Sequence, residues 1–179
     1  MIDNSKDTDF VKCLYANLMR GSKCIYTLKR AFGHPFKSDL KEYMSFLSVC
    51  EKSIDPRDEK VYFLVATMFY NFERHSTEIS ENTKYVKFEQ LLSRIYRTSN
   101  STNKTISQMI DSDFDTDGIF INRFVRIANR CKKELRPYEH LDFIKLISDF
   151  RFWNADNKRV KFQWAKEIVN VNKNEDESL

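Results

Sequence analysis

Three arginines at positions i, i+3 and i+7, Arg123, Arg126 and Arg130, fall within INRFVRIANR, a segment without a single acid. On an α-helix this spacing sets three guanidinium groups along one face. Guanidinium forks suit phosphate because they stay charged and pair through two N–H groups at once. Two smaller clusters repeat the theme: Arg94 and Arg97 in SRIYR, and Lys29-Arg30 in YTLKRAFG. Just ahead of the arginine helix lies DSDFDTDGIF, where Asp113, Asp115, Asp117 and Gly118 match positions 1, 3, 5 and 6 of a calcium loop. Positions 9 and 12 of that loop are Ile121 and Phe124, both apolar where the calcium shell needs oxygen. Helix capping is the better reading. Asp115 or Asp117 can accept from the free N–H groups that begin the next helix, and no metal is expected.

Other chemistry finds no foothold. Cys13, Cys24, Cys50 and Cys131 make no C-x-x-C pair, so a zinc ribbon is excluded and the thiols read as buried and free. His34, His75 and His140 are scattered, with no nucleophile or acid in a recognisable catalytic arrangement. Gly21, Gly33 and Gly118 are too far apart to form a phosphate-cradling loop. Neither an enzyme, a cofactor nor a small-molecule substrate is expected.

The net charge is only +4, with 30 basic and 26 acidic residues, but its distribution is uneven. Residues 91–110 carry three basic groups and no acid, and 118–136 carry six basic groups against Glu134, with four aspartates between them. Such a chain is not a bulk DNA binder, but its middle is polarised. No apolar run approaches the roughly 20 residues of a membrane span. MIDNSKDTDF has neither the basic start nor the apolar core of a signal peptide, so a cytoplasmic location is expected.

The elements that must position these groups read as helices throughout. Three glycines and three prolines in 179 residues leave little to interrupt them. Helices are predicted over 7–20, 22–32, 38–50, 56–73, 84–98, 103–111, 117–135, 140–151 and 156–170. Ser38, Asp55 and Asp156 serve as caps, Pro56 stands at a first helical position, and Gly21 and Gly33 close helices. Leu40, Tyr43, Met44 and Leu47 would form the apolar face of the third helix. In the seventh, Ile121, Val125, Ala128 and Leu135 would face the core, with Phe124 and Ile127 at the margins. The fold class is all-α: about eight or nine helices in two packed helical-bundle lobes. The polar segment HSTEISENT divides an N-terminal lobe, 1–75, from a C-terminal lobe, 84–170, with a disordered tail at 171–179. Most of the 25 aromatic residues recur at helical spacing with aliphatics and read as core, Tyr96 being the candidate for exposure.

Taken alone, each basic cluster is also compatible with the solvated face of an amphipathic helix. A helical protein–protein adaptor is therefore one alternative. A dimeric DNA-binding regulator is another, with LKRAFGHPFKSDLKEYM as its sole helix–turn–helix candidate and His34-Pro35 distorting the turn.

The order LLSRIYR, STNKTISQMIDSD, INRFVRIANR and LDFIKLISDFRFWNADNKRVKFQWAKEIV resembles the CasB family, the small subunit of the type I-E CRISPR complex Cascade. The likeness runs over roughly residues 8 to 170. It is carried most specifically by Ser93 to Arg97, by Asp142, Leu146, Asp149 and Trp153, and by Val160, Gln163, Trp164 and Ala165. Departures include Ser93 for a glycine, Phe143 for a tryptophan and Thr105-Ile106 for Arg-Phe, which leaves Lys104 the only basic group in its turn. The resemblance implies a non-catalytic helical subunit, present as a pair beside other Cascade subunits, that helps hold the guide RNA–target DNA hybrid and the displaced strand. The basic surface it implies comprises Lys29, Arg30, Arg57, Arg94, Arg97, Lys104, Arg123, Arg126, Lys158 and Arg159, with the acidic loop outside the groove.

Overall fold

The computed structural model describes residues 5–49, 54–73, 83–96, 98–115 and 118–176, with side chains as far as 170. Cys50, His75, Arg97, Asp117 and nearly all of the polar segment 75–83 lie outside the described residues. Nine α-helices and one pair of three-residue strands occur among the described residues, so the chain is all-α in class. It divides into two compact units. One comprises residues 1–80 with Phe143–Arg151, the other 81–142 with 152–179.

The first unit contains α1 (Ser5–Met19), α2 (Cys24–Arg30), α3 (Leu40–Val49), α4 (Glu59–Phe72) and α8 (Phe143–Arg151). The segment VYFLVATMFYNF is apolar around nearly its whole circumference, and α4 is accordingly the buried centre of this unit. Phe46 of α3 meets Phe63 edge-on at 5.6 Å, and Phe143 of α8 lies 5.1 Å from Phe69. The close of α1 follows from Gly21. At φ +65 it lets its own N–H reach Leu18 O and the N–H of Ser22 reach Asn17 O, the paired bonds of a Schellman turn. Gly33, at φ 97, lies in the turn after α2, where His34 N–H reaches Ala31 O at 2.8 Å.

α3 carries two apolar stripes, and the core takes the one that was not expected. Phe46 and Val49 are buried and Tyr43 half-buried, whereas Leu40, Met44 and Leu47 face outward. The aromatic stripe wins because Phe36, Tyr43, Phe46 and Phe63 interlock at ring distances of 5.5–6.3 Å. Two caps also shift by a residue or more. Asp39, not Ser38, accepts from the N–H of Glu42, and Asp55 accepts from Arg57, so a turn precedes α4 and that helix begins at Glu59.

α8 lies in sequence between β2 and α9 of the other unit but packs against α1 and α4. A polar anchor explains it. Arg151 donates to Asp7 at 2.8 and 3.0 Å, to Asp58 at 2.9 Å and to the hydroxyl oxygen of Tyr62 at 3.1 Å. The Tyr62 hydroxyl in turn donates to Asp7 at 2.5 Å.

The second unit contains β1 (Lys84–Val86), α5 (Phe88–Ile95), α6 (Asn100–Asp111), α7 (Ile119–Glu134), β2 (Glu139–Leu141) and α9 (Arg159–Asp176). β1 and β2 run parallel, with Lys84, Tyr85 and Val86 opposite Glu139, His140 and Leu141. Both strands fall where helix starts were predicted. A parallel pair needs a long crossover, so neither strand leaves a local signature. α6 starts earlier than predicted because Ser99 caps it by accepting from Thr102 N–H. α9 starts later than predicted, Asn157 rather than Asp156 accepting from Arg159 N–H, and continues past 170. The core is aromatic: the indoles of Trp153 and Trp164 meet at 4.8 Å, and Phe88, Phe120 and Phe124 close around them. Phe124 and Ile127 are central to the buried face of α7, while Val125 and Leu135 are only half-buried.

Candidate nucleic-acid interface

α6 and α7 form an antiparallel hairpin within the second unit. Ile106, Met109 and Ile110 of α6 and Phe120, Phe124, Ile127 and Cys131 of α7 are buried, which turns the polar sides of both helices outward. Two side-chain bonds fix the register. Arg123 donates to the backbone oxygen of Gln108 at 3.1 Å, and Arg130 donates to the hydroxyl of Thr102. Lys104 and Arg126 lie between these two bonds, both exposed and without an ion pair among the described residues. Asn122, Asn129 and Lys133 continue the exposed face of α7. Since 99–110 and 118–133 contain no acid, no carboxylate of these segments neutralises the strip.

Arg94 occupies a different situation. Its guanidinium pairs with both oxygens of Glu139, at 2.6 and 2.8 Å, and donates to the backbone oxygen of Glu134 at 2.9 Å. The Glu139 side chain is fully buried and that of Arg94 is 26% exposed. The hydrogen bonds from Arg94 hold the Glu139 carboxyl below its ordinary range, and the same pairing raises Arg94. What this fork does is tie α5 to β2 and to the end of α7.

The remaining basic residues are dispersed. Lys29 and Arg30 stand exposed in the last turn of α2, where cations complement the helix dipole. Arg57 braces its own turn on Asp55 at 2.7 Å, and this bond lowers the Asp55 carboxyl to about 2. Lys158, at φ 49, and Arg159 are exposed at the beginning of α9. The structure thus brings Lys104, Arg123 and Arg126 together on one hairpin, with Lys29, Arg30 and Arg57 belonging to the other unit. Lys133, Asn122 and Asn129 were missed as members of the face. Their helical position relative to Arg126 was the available signal.

The aspartate loop is held by its neighbours. Asp113 pairs with the nearly buried Lys161 at 3.2 Å, and Asp115 accepts from Gly118 N–H at 2.7 Å. Asn154 clamps Phe114 through both its N–H and its carbonyl, and the Trp153 indole donates to Ser112 O at 3.0 Å. Asp115 therefore holds Gly118, the residue before α7, and does not cap the helix as expected: α7 has no side-chain cap bond, and Asp117 lies outside the described residues. Of the cysteines, Cys131 is buried, which pushes its thiol up, while Cys13 and Cys24 are only partly buried. No helix among the described residues is long and apolar enough to cross a membrane.

Fold and surface together define an all-α protein with a cationic hairpin. The family follows from comparison. A family model described as CRISPR-associated protein Cse2 matches residues 27–167, and the chain belongs to this family, whose members are also called CasB. Membership supports a role as a small subunit of a CRISPR Cascade complex. Among solved structures, CasB of M. ruber is similar at 18% identity and a TM-score of 0.66, covering 97% of this chain and 98% of that one. A CRISPR-associated protein of the Cse2 family from Thermus thermophilus is similar at 15% identity and a TM-score of 0.65, covering 94% and 99%. A second Thermus thermophilus structure, described as CasB, is similar at 15% identity and a TM-score of 0.62, with the same coverage. These likenesses share the fold. No curated protein sequence matches the chain.

Proposed function

We propose that this protein is the non-catalytic small subunit of a type I-E CRISPR surveillance complex. In that reading it works in the cytoplasm beside other Cascade subunits and a second copy of itself. It holds nucleic-acid backbone on basic helix faces, stabilising the guide RNA–target DNA hybrid and the displaced strand. The observation that carries this is the α6–α7 hairpin, with Lys104 and Arg126 exposed and unpaired among the described residues on an acid-free surface. Arg123 and Arg130 each spend a donor on α6, which leaves further N–H groups of their five for phosphate. Lys158 and Arg159 are exposed on the same unit as the hairpin, Lys29, Arg30 and Arg57 are exposed on the other, each able to meet backbone phosphate, and Arg97 joins on sequence grounds. Arg94 supports the surface by positioning β2 and the end of α7. Base pairing reads the target in such complexes, so contacts to backbone suffice for the protein.

Binding of single-stranded DNA and RNA to the full chain, followed as salt is raised, tests the proposal. Wild type should bind weakly and without sequence preference, with affinity falling linearly in the logarithm of salt. Lys104→Glu with Arg126→Glu should make that dependence shallower. A double variant with unchanged binding would reject this face, and absence of binding both alone and in the assembled complex would favour a protein adaptor.

A further inference from the structure

Phe162 is an oddity on α9. It is 68% exposed, and its ring makes no aromatic contact among the described residues. Around it stand three exposed cations, Lys158 and Arg159 one turn before and Lys166 one turn after. Helical spacing places Arg159 and Lys166 beside the ring, and Lys158, the residue before the helix, is joined to this turn by the bond from Phe162 N–H to its backbone oxygen at 3.0 Å. The adjacent Lys161 turns inward to Asp113 and is not part of this face. Two acids are near in sequence: exposed Asp156 precedes the helix, and half-buried Glu167 lies well around the helix from Phe162.

An exposed phenyl ring framed by three cations differs from the usual core of a protein–protein patch, where charge and lysine are depleted. It matches what single-stranded nucleic acid requires, an apolar plane for a base and positive charge for the phosphates on either side. We infer that Phe162 is a base-stacking platform for single-stranded nucleic acid, with Lys158, Arg159 and Lys166 holding the flanking phosphates. The inference rests on the proposed backbone binding and adds a base contact to it. Any base has a π-face, so the platform is sequence-tolerant.

Two oligonucleotides of equal length separate the contributions: oligo-dT and an abasic strand with the same phosphates. The full-length chain should bind oligo-dT about tenfold more tightly than the abasic strand. Phe162→Ala should abolish that preference while keeping the affinity for the abasic strand and its salt dependence. Phe162→Trp should retain the preference, and both variants fold because the side chain is solvated. Equal binding of the two strands by wild type would overturn the stacking platform and leave the backbone reading standing. A Phe162→Ala variant that keeps the preference would also overturn it, as would one that impairs only assembly with other subunits and so marks a protein contact. If wild type binds neither strand at low salt, alone or in the assembled complex, both readings fall.

Discussion

Arg151 grips Asp7, 144 positions earlier in the chain, through two parallel N–H groups at 2.8 and 3.0 Å. Asp7 is fully buried, and its remaining interaction is the short bond from the Tyr62 hydroxyl. Burial and the neighbouring Asp7 carboxylate both push the Tyr62 phenol upward, so it remains a donor at any ordinary pH. This buried fork docks α8 on α1 and α4.

Removing Asp7 takes the two-pronged partner from Arg151 and leaves it Asp58 and the Tyr62 hydroxyl. Asp7→Ala should cost about 3 kcal/mol, the lower end for a buried pair because Arg151 keeps Asp58, and still more than Tyr62→Phe at about 1 kcal/mol. Asp7→Leu combined with Arg151→Met should recover much of the loss, since an apolar pair carries no desolvation penalty. Urea midpoints of the variants provide the comparison. An Asp7→Ala variant as stable as wild type would show that the fork contributes nothing.

Glu139 predicts an acid limb in the stability of the second unit. Its carboxyl is held below the ordinary 4.5 by the hydrogen bonds from Arg94, so the folded chain keeps it charged to lower pH than the unfolded chain does. Its stabilisation is complete above about pH 4.5, the unfolded value, and fades as pH falls through the lowered native value. Glu139→Gln should be less stable than wild type at neutral pH and flatter below pH 5. Thermal unfolding across pH 2–7 measures this, and parallel curves for the two proteins would remove Glu139 from the account.

Arg94 and Lys104 should fail in different ways. Arg94→Gln leaves Glu139 buried without its partner, at a cost of about 3 kcal/mol, the lower end for a buried pair because Arg94 keeps some water contact. The folded fraction should retain its salt dependence of binding. Lys104→Gln with Arg126→Gln should change stability by no more than about 0.5 kcal/mol, yet lower the log–log salt slope by about 1–2. A reversed pattern would move Arg94 into the interface.

Gly21 offers a purely conformational test. A Cβ there would meet nothing within 4 Å, so the whole cost of Gly21→Ala comes from φ +65. We expect a loss of about 1 kcal/mol and a smaller loss for Gly21→Asn, a residue that tolerates this conformation. Equal stability of all three proteins would be incompatible with the Schellman turn.

Much of this architecture is legible in the chain because helices are local. VYFLVATMFYNF has to form a central helix, since every turn of it needs cover, whereas the stripe expected on α7, Ile121, Val125, Ala128 and Leu135, gave way to one centred on Phe124 and Ile127. Capping is legible only to within a residue or two: Asp39, Asn157 and Ser99 displaced Ser38, Asp156 and a later start, because neighbouring polar residues compete for the same N–H groups. In α3 the periodicity allowed two apolar stripes, and contact with Phe63 settled which was buried. The membership of Arg94 in a basic cluster was visible, but the fork it forms with Glu139, 45 positions away, was not.

The sequence by itself determined an all-α chain with a charge-polarised middle, because backbone preference and helical periodicity act within a few residues. The two parallel three-residue strands, the placement of α8 with the N-terminal helices and the division of basic residues into held and exposed ones were decided by tertiary structure. Each depends on partners brought from far along the chain, and a desolvated pair such as Arg151–Asp7 has a meaning only once the core around it has closed.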